Sequence, residues 1–436
     1  MTLIDLIPAA PRAGHLASLP IAVIGAGPIG LAAAANLIER DLDVVVLEAG
    51  DHVGASVREW GHTRFFSPWR YLVDPAARRL LEGAGWTPPA PDGMPTGDEL
   101  IHRYLAPLAA VPAIAASLRT GVRVTDVSRE GMDRTRTRGR SAAPFVVRTR
   151  RADGSVERLA ARAVIDASGT WTTPNPLASD GLELDGFDEI ADAVTHALPD
   201  VLGRDRERFA GRHTTVVGAG HSAANTLLDL VELARQVPGT RATWLIRNPQ
   251  AARVAASAED DLAGRAALGS RVHRAVTDGL IDLLDGFEIL RAHRHEDRVA
   301  LIGHRRGAIA THETDTVVNA TGFRPDLAPL RELRLDLDDI VEAPRRLAPL
   351  IDPNIHSCGT VEAHGFRELA HPEQGFFLVG MKSYGRAPTF LLATGYEQVR
   401  SVTAWLAGDA AAAEAVDLSL PATGVCSTGL GGSGCC

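Results

Sequence analysis

The chain contains few cysteines, few aromatic residues and no long apolar run. Only four of its 436 residues are cysteines, and three of these lie within the last eleven residues, so they do not form a disulfide framework. No segment reaches the roughly 18 uninterrupted apolar residues that span a bilayer, and the N-terminus lacks the basic region of a secretory signal. These absences predict a cytoplasmic protein.

The chain also lacks an excess of basic charge. Its net charge of −9 argues against general binding to nucleic acid or to anionic membranes. The local arginine-rich run at residues 134–140 is interpreted as a solvated loop. A composition of 45% hydrophobic and 23% charged residues is typical of a soluble globular protein, and the length predicts two or three domains.

Residues 19–48 have the pattern of a strand, a tight turn, a helix and a second strand. The turn has the G-x-G-x-x-G spacing, whose glycines permit the turn, the approach of a pyrophosphate and close helix–strand packing. The helix would direct its amides at the phosphates, and a carboxylate at the end of the second strand would bind a ribose. A glycine-rich turn in another α/β protein is the alternative. The predicted dinucleotide site consists of Gly25, Gly27, Pro28, Ile29, Gly30 and Glu48.

A second copy of this pattern occupies residues 213–247. Its second strand ends in Arg247 in place of an acid, and an arginine at this point can pair with a 2′-phosphate. The pattern therefore predicts an NADPH site, although Arg247 can also be an ordinary surface charge. The predicted residues are Gly218, Gly220, His221, Ser222, Ala223 and Arg247.

Other segments have simpler patterns. Buried strands that end in small residues are predicted at 163–170 and 315–326. One more buried strand is predicted at 375–380, followed by a helix from about Pro388 to Leu406. Amides at Gly380 and at the start of that helix would point at an electron-rich ring edge. Residues 98–118 have a helical pattern with Thr96 as the cap.

Two dinucleotide signatures, 193 residues apart, are typical of a flavoprotein that takes electrons from a pyridine nucleotide. The motif order over residues 19–408 resembles the flavoproteins with two dinucleotide-binding domains. That resemblance implies an α/β fold of two Rossmann-like three-layer domains, with FAD bound by 1–175 and 317–420 and NADPH by the inserted 176–316. It also implies further cofactor contacts near the crossovers and the last strand, at Ser168, Gly169, Ala320, Thr321, Gly322, Gly380 and Met381.

Two differences between this chain and the disulfide reductases of the superfamily indicate the branch to which the chain belongs. Those enzymes carry a cysteine pair beside the flavin, whereas no cysteine precedes Cys358 here, and they place an aspartate where this chain has Met381. Both departures favour the flavin-dependent monooxygenases. The monooxygenase fingerprint F-x-G-x-x-x-H is not matched by Phe187, His196 or Phe209, and this leaves the reductase branch open.

The resemblance to monooxygenases implies a small-molecule substrate and O₂ as partners, and a C4a-hydroperoxyflavin shielded by NADP⁺. Related flavoproteins are often homodimers.

Aromatic residues are dense in the loop at 49–74, which either covers a flat ring system or forms a small aromatic core. The chemistry rests on charge and orientation near the flavin. The catalytic candidates are Lys382, Arg64, His62 and Trp69, with Arg58 and Trp60 as neighbours.

The C-terminal tail, residues 421–436, is rich in Gly and Ser and carries Cys426, Cys435 and Cys436. Clustered thiols suit a thiophilic metal ion. The final Cys-Cys pair resembles that of mercuric reductases, and with C-S-T-G it resembles arsenic metallochaperones, which suggests a link to arsenic resistance. Two alternatives stay open: a reductase in which Cys435 and Cys436 relay electrons, and a metal-binding or sensing flavoprotein. The tail can also be an incidental disordered end, and Cys358 a small buried hydrophobe.

Overall fold

The computed structural model describes residues 15–248, 263–352, 363–388, 390–416 and 418. Within these ranges the chain forms two compact units. The first unit contains the chain up to Trp171 and again from Pro325 onward, and the second is Thr172–Arg324. The first unit is therefore discontinuous in sequence. None of the helices in the described ranges is long and apolar enough to cross a membrane.

The first unit is built on a five-stranded parallel sheet. Its strands, in the order β16–β7–β1–β2–β3, are Phe376–Leu378, Ala163–Asp166, Ile21–Ile24, Val44–Leu47 and Leu118–Arg119. Strands β1, β7 and β16 are buried throughout, which explains their mostly apolar sequences. Because all five strands run in one direction, their carboxyl ends meet at one edge of the sheet, where ligands bind in open α/β folds.

The helices of this unit are α1 Pro28–Ile38, α2 Ala55–Glu59, α3 Pro75–Gly83, α4 Gly97–Leu100, α5 Ala106–Ala110, α6 Pro112–Ser117, α11 Ala348–Ile351, α12 Leu392–Leu406 and α13 Ala410–Glu414. Helix α1 contacts β1, β2 and β7 as well as α3 and α12. Residues Ile29–Leu37 of α1 are all buried as a result. This enclosure explains why the helix is apolar around its whole circumference, since no side faces water.

A three-stranded antiparallel sheet completes the first unit, with β4 Val122–Arg129, β5 Phe145–Arg151 and β6 Val156–Ala161. Its inner face joins the core of the parallel sheet through Val127, Phe145 and Val147. Beside it, Arg129 and Arg140 both donate to the buried carboxylate of Glu373, each pair at 2.8 Å. Burial alone would raise the pKa of Glu373, but hydrogen bonds from the two arginines hold it below its ordinary value.

The second unit repeats this plan. Its parallel sheet has the order β11–β10–β9–β15–β8, with strands Asp282–Leu284, Arg241–Leu245, His213–Val217, Thr316–Asn319 and Val194–Thr195. Its helices are α7 Phe187–Ile190, α8 Arg206–Phe209, α9 His221–Gln236 and α10 Ala263–Thr277. An antiparallel sheet of β12 Phe287–His295, β13 Arg298–Arg305 and β14 Ala308–Thr314 packs into the same core as β9, β10 and β15. The α/β class with parallel sheets is confirmed.

Two helix predictions differ from the structure. The segment at 98–118 begins with the predicted cap, because the Thr96 hydroxyl accepts from the Glu99 amide and the Glu99 carboxylate accepts from the Thr96 amide. It then passes through a π-helical turn, Ile101–Leu105, and breaks at Val111, whose extended backbone precedes Pro112. The last long helix begins at Leu392 rather than near Pro388.

Candidate functional site

The first glycine-rich turn joins β1 to α1. Gly25 has a φ of +95°, and a Cβ there would lie 2.9 Å from the carbonyl oxygen of Ala167. A Cβ on Gly30 would lie 1.9 Å from the carbonyl oxygen of Gly25, since the helix starts directly against the turn. A Cβ on Gly27 would meet no protein atom within 4 Å. The turn is thus closed toward the protein and open at Gly27, the position at which a pyrophosphate would approach.

The helix that follows has no side-chain cap at its N-terminus. Its first amides are therefore left for a ligand, and the helix dipole favours a phosphate there. Pro28 is the first helical residue. Ile29 is buried and packs toward the last strand, because a Cβ on Gly380 would lie 3.2 Å from Ile29 Cγ1.

Glu48 follows β2 with a buried carboxylate. Its Oε2 accepts from the backbone N–H of Ala26 at 2.6 Å, and its Oε1 accepts from the N–H of Gly50 at 2.8 Å. Since Ala26 belongs to the glycine turn, the carboxylate ties the end of β2 to that turn. Each carboxylate oxygen has a second lone pair, so Glu48 retains the capacity to accept from ribose hydroxyls.

The second glycine-rich turn joins β9 to α9 and has the same construction. Gly218 has a φ of +132°, and a Cβ there would lie 2.1 Å from the carbonyl oxygen of Ala320. A Cβ on Gly220 would meet nothing within 4 Å, and α9 also begins without a side-chain cap. The indole N–H of Trp244 donates to the Gly218 carbonyl at 2.6 Å and holds the turn from the neighbouring strand.

Three predicted NADPH contacts lie on α9 and one after β10. His221 and Ser222 open the helix half-buried, whereas Ala223 is fully buried beneath it. Arg247 is exposed, and its guanidinium donates one hydrogen bond to the carbonyl oxygen of Ser179 at 2.9 Å. A guanidinium has five N–H donors, so Arg247 retains donors for a phosphate.

Strands β7 and β15 end in the same hydrogen-bonded turn, one in each unit. Asp166 Oδ1 accepts from the N–H of Ser168 at 3.1 Å and from its hydroxyl at 2.6 Å. Asn319 Oδ1 accepts from the N–H of Thr321 at 3.2 Å and from its hydroxyl at 2.7 Å. Each turn continues into a glycine of positive φ, Gly169 and Gly322. Asp166 and Asn319 are absent from the predicted site, although D-A-S-G and N-A-T-G repeat visibly in the sequence.

Lys382 is the only lysine of the chain; the other 44 of its 45 basic residues are arginines. Its Nζ lies 2.7 Å from Asp166 Oδ2 and 3.0 Å from Ser168 Oγ, and the side chains of Lys382 and Asp166 are 3% and 2% exposed. An ammonium is a compact donor, whereas a guanidinium is broad and planar. Lys382 therefore fastens the turn after β16, Gly380–Tyr384, to the end of β7.

A second buried network holds the start of the same turn. The N–H of Gly380 donates to Gln398 Oε1 at 2.7 Å. Since a backbone N–H can only donate, the Gln398 oxygen faces Gly380, and its NH₂ group donates to Ser383 Oγ and His364 Nε2, each at 2.9 Å. His364 Nε2 is thus an acceptor. Gln398 and Ser383 were missed by the sequence analysis because nothing in their local pattern marks them.

The aromatic loop after β2 forms a partly exposed cluster. Trp60 lies 5.4 Å from Phe65 edge-on and 6.3 Å from Trp171, measured between ring centroids. The indole N–H of Trp171 donates to a Glu59 carboxylate oxygen at 2.7 Å. All three residues are half-buried.

Two polar catalytic candidates lie beside this cluster. His62 is half-buried, with Nε2 3.3 Å from the Thr63 hydroxyl. Arg64 is exposed, donates to the Met94 carbonyl and lies 3.7 Å from the Glu99 carboxylate. Arg58 is also exposed, on α2. The structure leaves the side chains of His62, Arg64 and Arg58 accessible, and their catalytic roles stay predictions.

Two other candidates are buried, and their catalytic roles stay predictions. Trp69 is only 4% exposed, and the guanidinium of Arg103 lies 5.8 Å from its ring centroid. Lys382 was expected to offset negative charge on reduced flavin. In the structure its charge is balanced by Asp166 at 2.7 Å, a pair that anchors the turn, and its effect on reduced flavin stays a prediction.

The metal prediction cannot be compared with these contacts. Cys426, Cys435 and Cys436, together with Cys358, lie outside the described residues. Within the ranges that the structure describes, no group of three or more His, Cys, Asp or Glu side chains is placed to hold a metal ion.

The residues at both turns fit the phosphates of a dinucleotide. In each, the second glycine faces open space and an uncapped helix follows, which are the two features a pyrophosphate requires. The carboxylate of Glu48 suits a ribose in the first unit, and the arginine at 247 suits a phosphate in the second. The geometry therefore supports two nucleotide sites, one in each unit.

Comparisons with known proteins agree with this fold. The family model for pyridine nucleotide-disulphide oxidoreductases matches residues 22–357. A ferredoxin–NADP reductase of Granulibacter bethesdensis is 26% identical over 401 residues, which cover 86% of this chain and 96% of that protein. The bacillithiol disulfide reductase of Bacillus cereus has a TM-score of 0.66 at 19% identity, over 89% of this chain and 99% of its own. A variant of a flavin monooxygenase from Stenotrophomonas maltophilia has a TM-score of 0.56 at 25% identity, over 89% and 98%.

Proposed function

The chain belongs to the pyridine nucleotide-disulphide oxidoreductase family, and so is an FAD- and NADP(H)-dependent oxidoreductase, and we propose that within this family it acts as an NADPH-dependent monooxygenase. FAD would bind at the first glycine turn and NADPH at the second. The substrate would be a small soft nucleophile, namely a sulfur, nitrogen or arsenic compound, which the thiol tail would deliver. In the balanced reaction, substrate, O₂, NADPH and a proton give the oxygenated substrate, NADP⁺ and water.

The observation that carries this proposal is the absence of a thiol pair from the part of the chain that would surround the flavin. No cysteine occurs before Cys358. The residues that follow β7 and β16, where the resemblance implies flavin contacts, include Ser168 and Met381 and no cysteine. A disulfide reductase needs a dithiol to receive the electrons, whereas a monooxygenase passes them to O₂ and needs none.

The chemistry that a bound FAD supplies is the acceptance of a hydride from NADPH followed by activation of O₂. The protein's own residues would hold the reactants and exclude water. Glu48 would bind a ribose of FAD, and the amides of α1 its pyrophosphate. The turn that begins at Gly380, held by Gln398 and Lys382, would set the position of the flavin ring edge. The cluster around Trp60 would shield that ring.

Two alternatives rest on the cysteines of the tail. In the first, Cys435 and Cys436 relay electrons from reduced FAD to a disulfide or a thiophilic metal ion, and the fold likeness to a bacillithiol disulfide reductase is compatible with such a relay. In the second, Cys426 joins them in a metal-binding or sensing protein whose flavin is mainly structural.

The deciding experiment follows NADPH oxidation by the FAD-loaded protein with and without oxygen. The monooxygenase proposal expects O₂-dependent turnover with thioether, amine and arsenite substrates, and one ¹⁸O atom from ¹⁸O₂ in the product. Rapid anaerobic turnover with a disulfide or Hg(II), lost in Cys435→Ser/Cys436→Ser, would establish the relay instead. Flavin that NADPH does not reduce would favour the binding protein. The matched control is Cys358→Ser, which leaves the terminal pair intact.

A further inference from the structure

One segment of the first unit differs sharply in charge from the rest of the chain. Residues 119–158 contain eleven arginines and five acidic residues, a net charge of +6 within a chain of net charge −9. Two of these arginines, Arg129 and Arg140, are buried and paired with Glu373. The others are exposed or half-exposed, and they give this part of the surface a sign opposite to that of the whole protein.

Four of the arginines lie on one face of the sheet β4–β5–β6. The inner face carries Phe145, Val147 and Thr149, all buried. The outer face, which we call the arginine face, carries Arg123 on β4, Arg148 and Arg150 on β5 and Arg158 on β6. The alternation of side chains along each strand accounts for this separation.

The pairing register places these like charges directly opposite one another. Arg123 pairs across the strands with Arg150, and Arg148 pairs with Arg158. Like charges in directly opposed positions destabilise a sheet. Asp126 is the acidic side chain on this face; it lies 3.4 Å from Arg148, and both are about 40% exposed, so the pair offsets little of the repulsion. The arrangement therefore does not serve the stability of the isolated sheet.

We propose that the arginine face is a docking surface for the acidic surface of a partner protein, a role separate from the oxidoreductase site. Arginine binds carboxylates in a bidentate manner and is enriched at protein interfaces. Apolar side chains accompany the arginines, since Val156, 47% exposed, pairs with Arg150 across β5 and β6. A bound acidic surface would remove the repulsion between the opposed pairs.

Nucleic acid fits this face less well than protein does. Single strands are held largely by bases stacked on aromatic rings, and the outer face carries no aromatic residue.

The test measures binding of the full-length, FAD-loaded protein to immobilised poly-L-glutamate and, separately, to a DNA duplex of matched charge. The variant Arg123→Gln/Arg148→Gln/Arg150→Gln/Arg158→Gln removes the arginine face. The matched control, Arg235→Gln/Arg271→Gln/Arg274→Gln/Arg306→Gln, removes four exposed arginines from the second unit. FAD content and NADPH oxidation without a protein partner report that both variants remain folded.

We expect the wild-type protein to bind poly-L-glutamate in low salt, and the face variant to bind about tenfold more weakly with a shallower salt dependence. The control variant should bind as the wild type does. Equal losses in both variants, or no binding by the wild type, would overturn the proposal. DNA binding tighter than polyglutamate binding, and lost with the same four arginines, would assign the face to nucleic acid instead. If the four-residue variant does not fold, the pair Arg123→Gln/Arg158→Gln should weaken binding about threefold, and unchanged binding contradicts the proposal.

Discussion

Lys382 Nζ lies 2.7 Å from Asp166 Oδ2, and both side chains are almost completely buried. This ion pair joins the turn after β16 to the end of β7, and these two neighbouring strands have their carboxyl ends at the sheet edge that also carries the first glycine-rich turn. A chain that uses arginine at 44 of 45 basic positions uses lysine only at this position. The compact ammonium group gives the physical reason, because it bonds both Asp166 and Ser168 from within a closed space.

The first prediction concerns this pair. Lys382→Met should lower the free energy of unfolding by about 3–5 kcal/mol, because the buried carboxylate of Asp166 would be left without its cationic partner. Lys382→Met/Asp166→Asn should recover a large part of the loss. The control Arg386→Met breaks an exposed ion pair with Glu342 and should cost less than about 1 kcal/mol. Urea unfolding with bound FAD removed measures all three, and a loss in Lys382→Met as small as that in the control would refute the anchoring role.

The second prediction separates ligand binding from folding at the first glycine turn. Gly27→Ala should fold normally, since its Cβ meets no protein atom within 4 Å, but should weaken FAD binding by about tenfold or more because the Cβ occupies the path of the pyrophosphate. Gly30→Ala should destabilise the apoprotein by at least about 2 kcal/mol, because its Cβ lies 1.9 Å from the Gly25 carbonyl oxygen. Apoprotein unfolding and FAD titration distinguish the two. Equal FAD affinity in Gly27→Ala and wild type would place the pyrophosphate elsewhere.

The third prediction concerns the choice between NADPH and NADH. Arg247→Gln should lower kcat/KM for NADPH by about tenfold, through loss of a charged bond to the 2′-phosphate, and leave kcat/KM for NADH unchanged. Steady-state kinetics with both nucleotides measure the ratio. Arg241→Gln is the control, because Arg241 lies at the start of β10 whereas Arg247 follows its end, and it should alter neither value of kcat/KM. A parallel fall with both nucleotides would show that Arg247 does not contact the 2′-phosphate.

The fourth prediction is a loss of stability in acid that begins in the second unit. Burial, reinforced by neighbouring His213, lowers the pKa of His312 from 6.5 to about 4. His312 in the unfolded chain therefore binds a proton as the pH falls through 6.5, while the folded chain does so only near pH 4. Stability is lost over this range, by about 3 kcal/mol, and the loss is complete below pH 4.

His312→Gln tests this assignment, since glutamine cannot titrate but can still bond the Thr215 hydroxyl, which lies 2.7 Å from His312 Nε2. The variant should lose less stability than the wild type between pH 6.5 and pH 4. Urea unfolding at a series of pH values measures the difference. Identical pH profiles for His312→Gln and wild type would exclude His312 as the source.

Several features were accessible from sequence because they depend on local chemistry. The two glycine turns are specified by spacing: Gly25 and Gly218 need positive φ, and Gly27 and Gly220 leave room for a ligand. The cap at Thr96 is likewise a short-range pattern. The assignment of FAD and NADPH to particular units, and the roles of individual catalytic residues, stay predictions.

What the amino-acid sequence determined by itself is the α/β class, the two glycine-rich turns and the strands that precede them, because each follows from residues close together in the chain. Only the tertiary structure decided which distant residues meet. It paired Lys382 with Asp166, 216 positions apart, and enclosed Trp69. It also set Arg123 opposite Arg150. Such contacts depend on strand order and register, which arise when the whole chain packs its core and which no local pattern encodes.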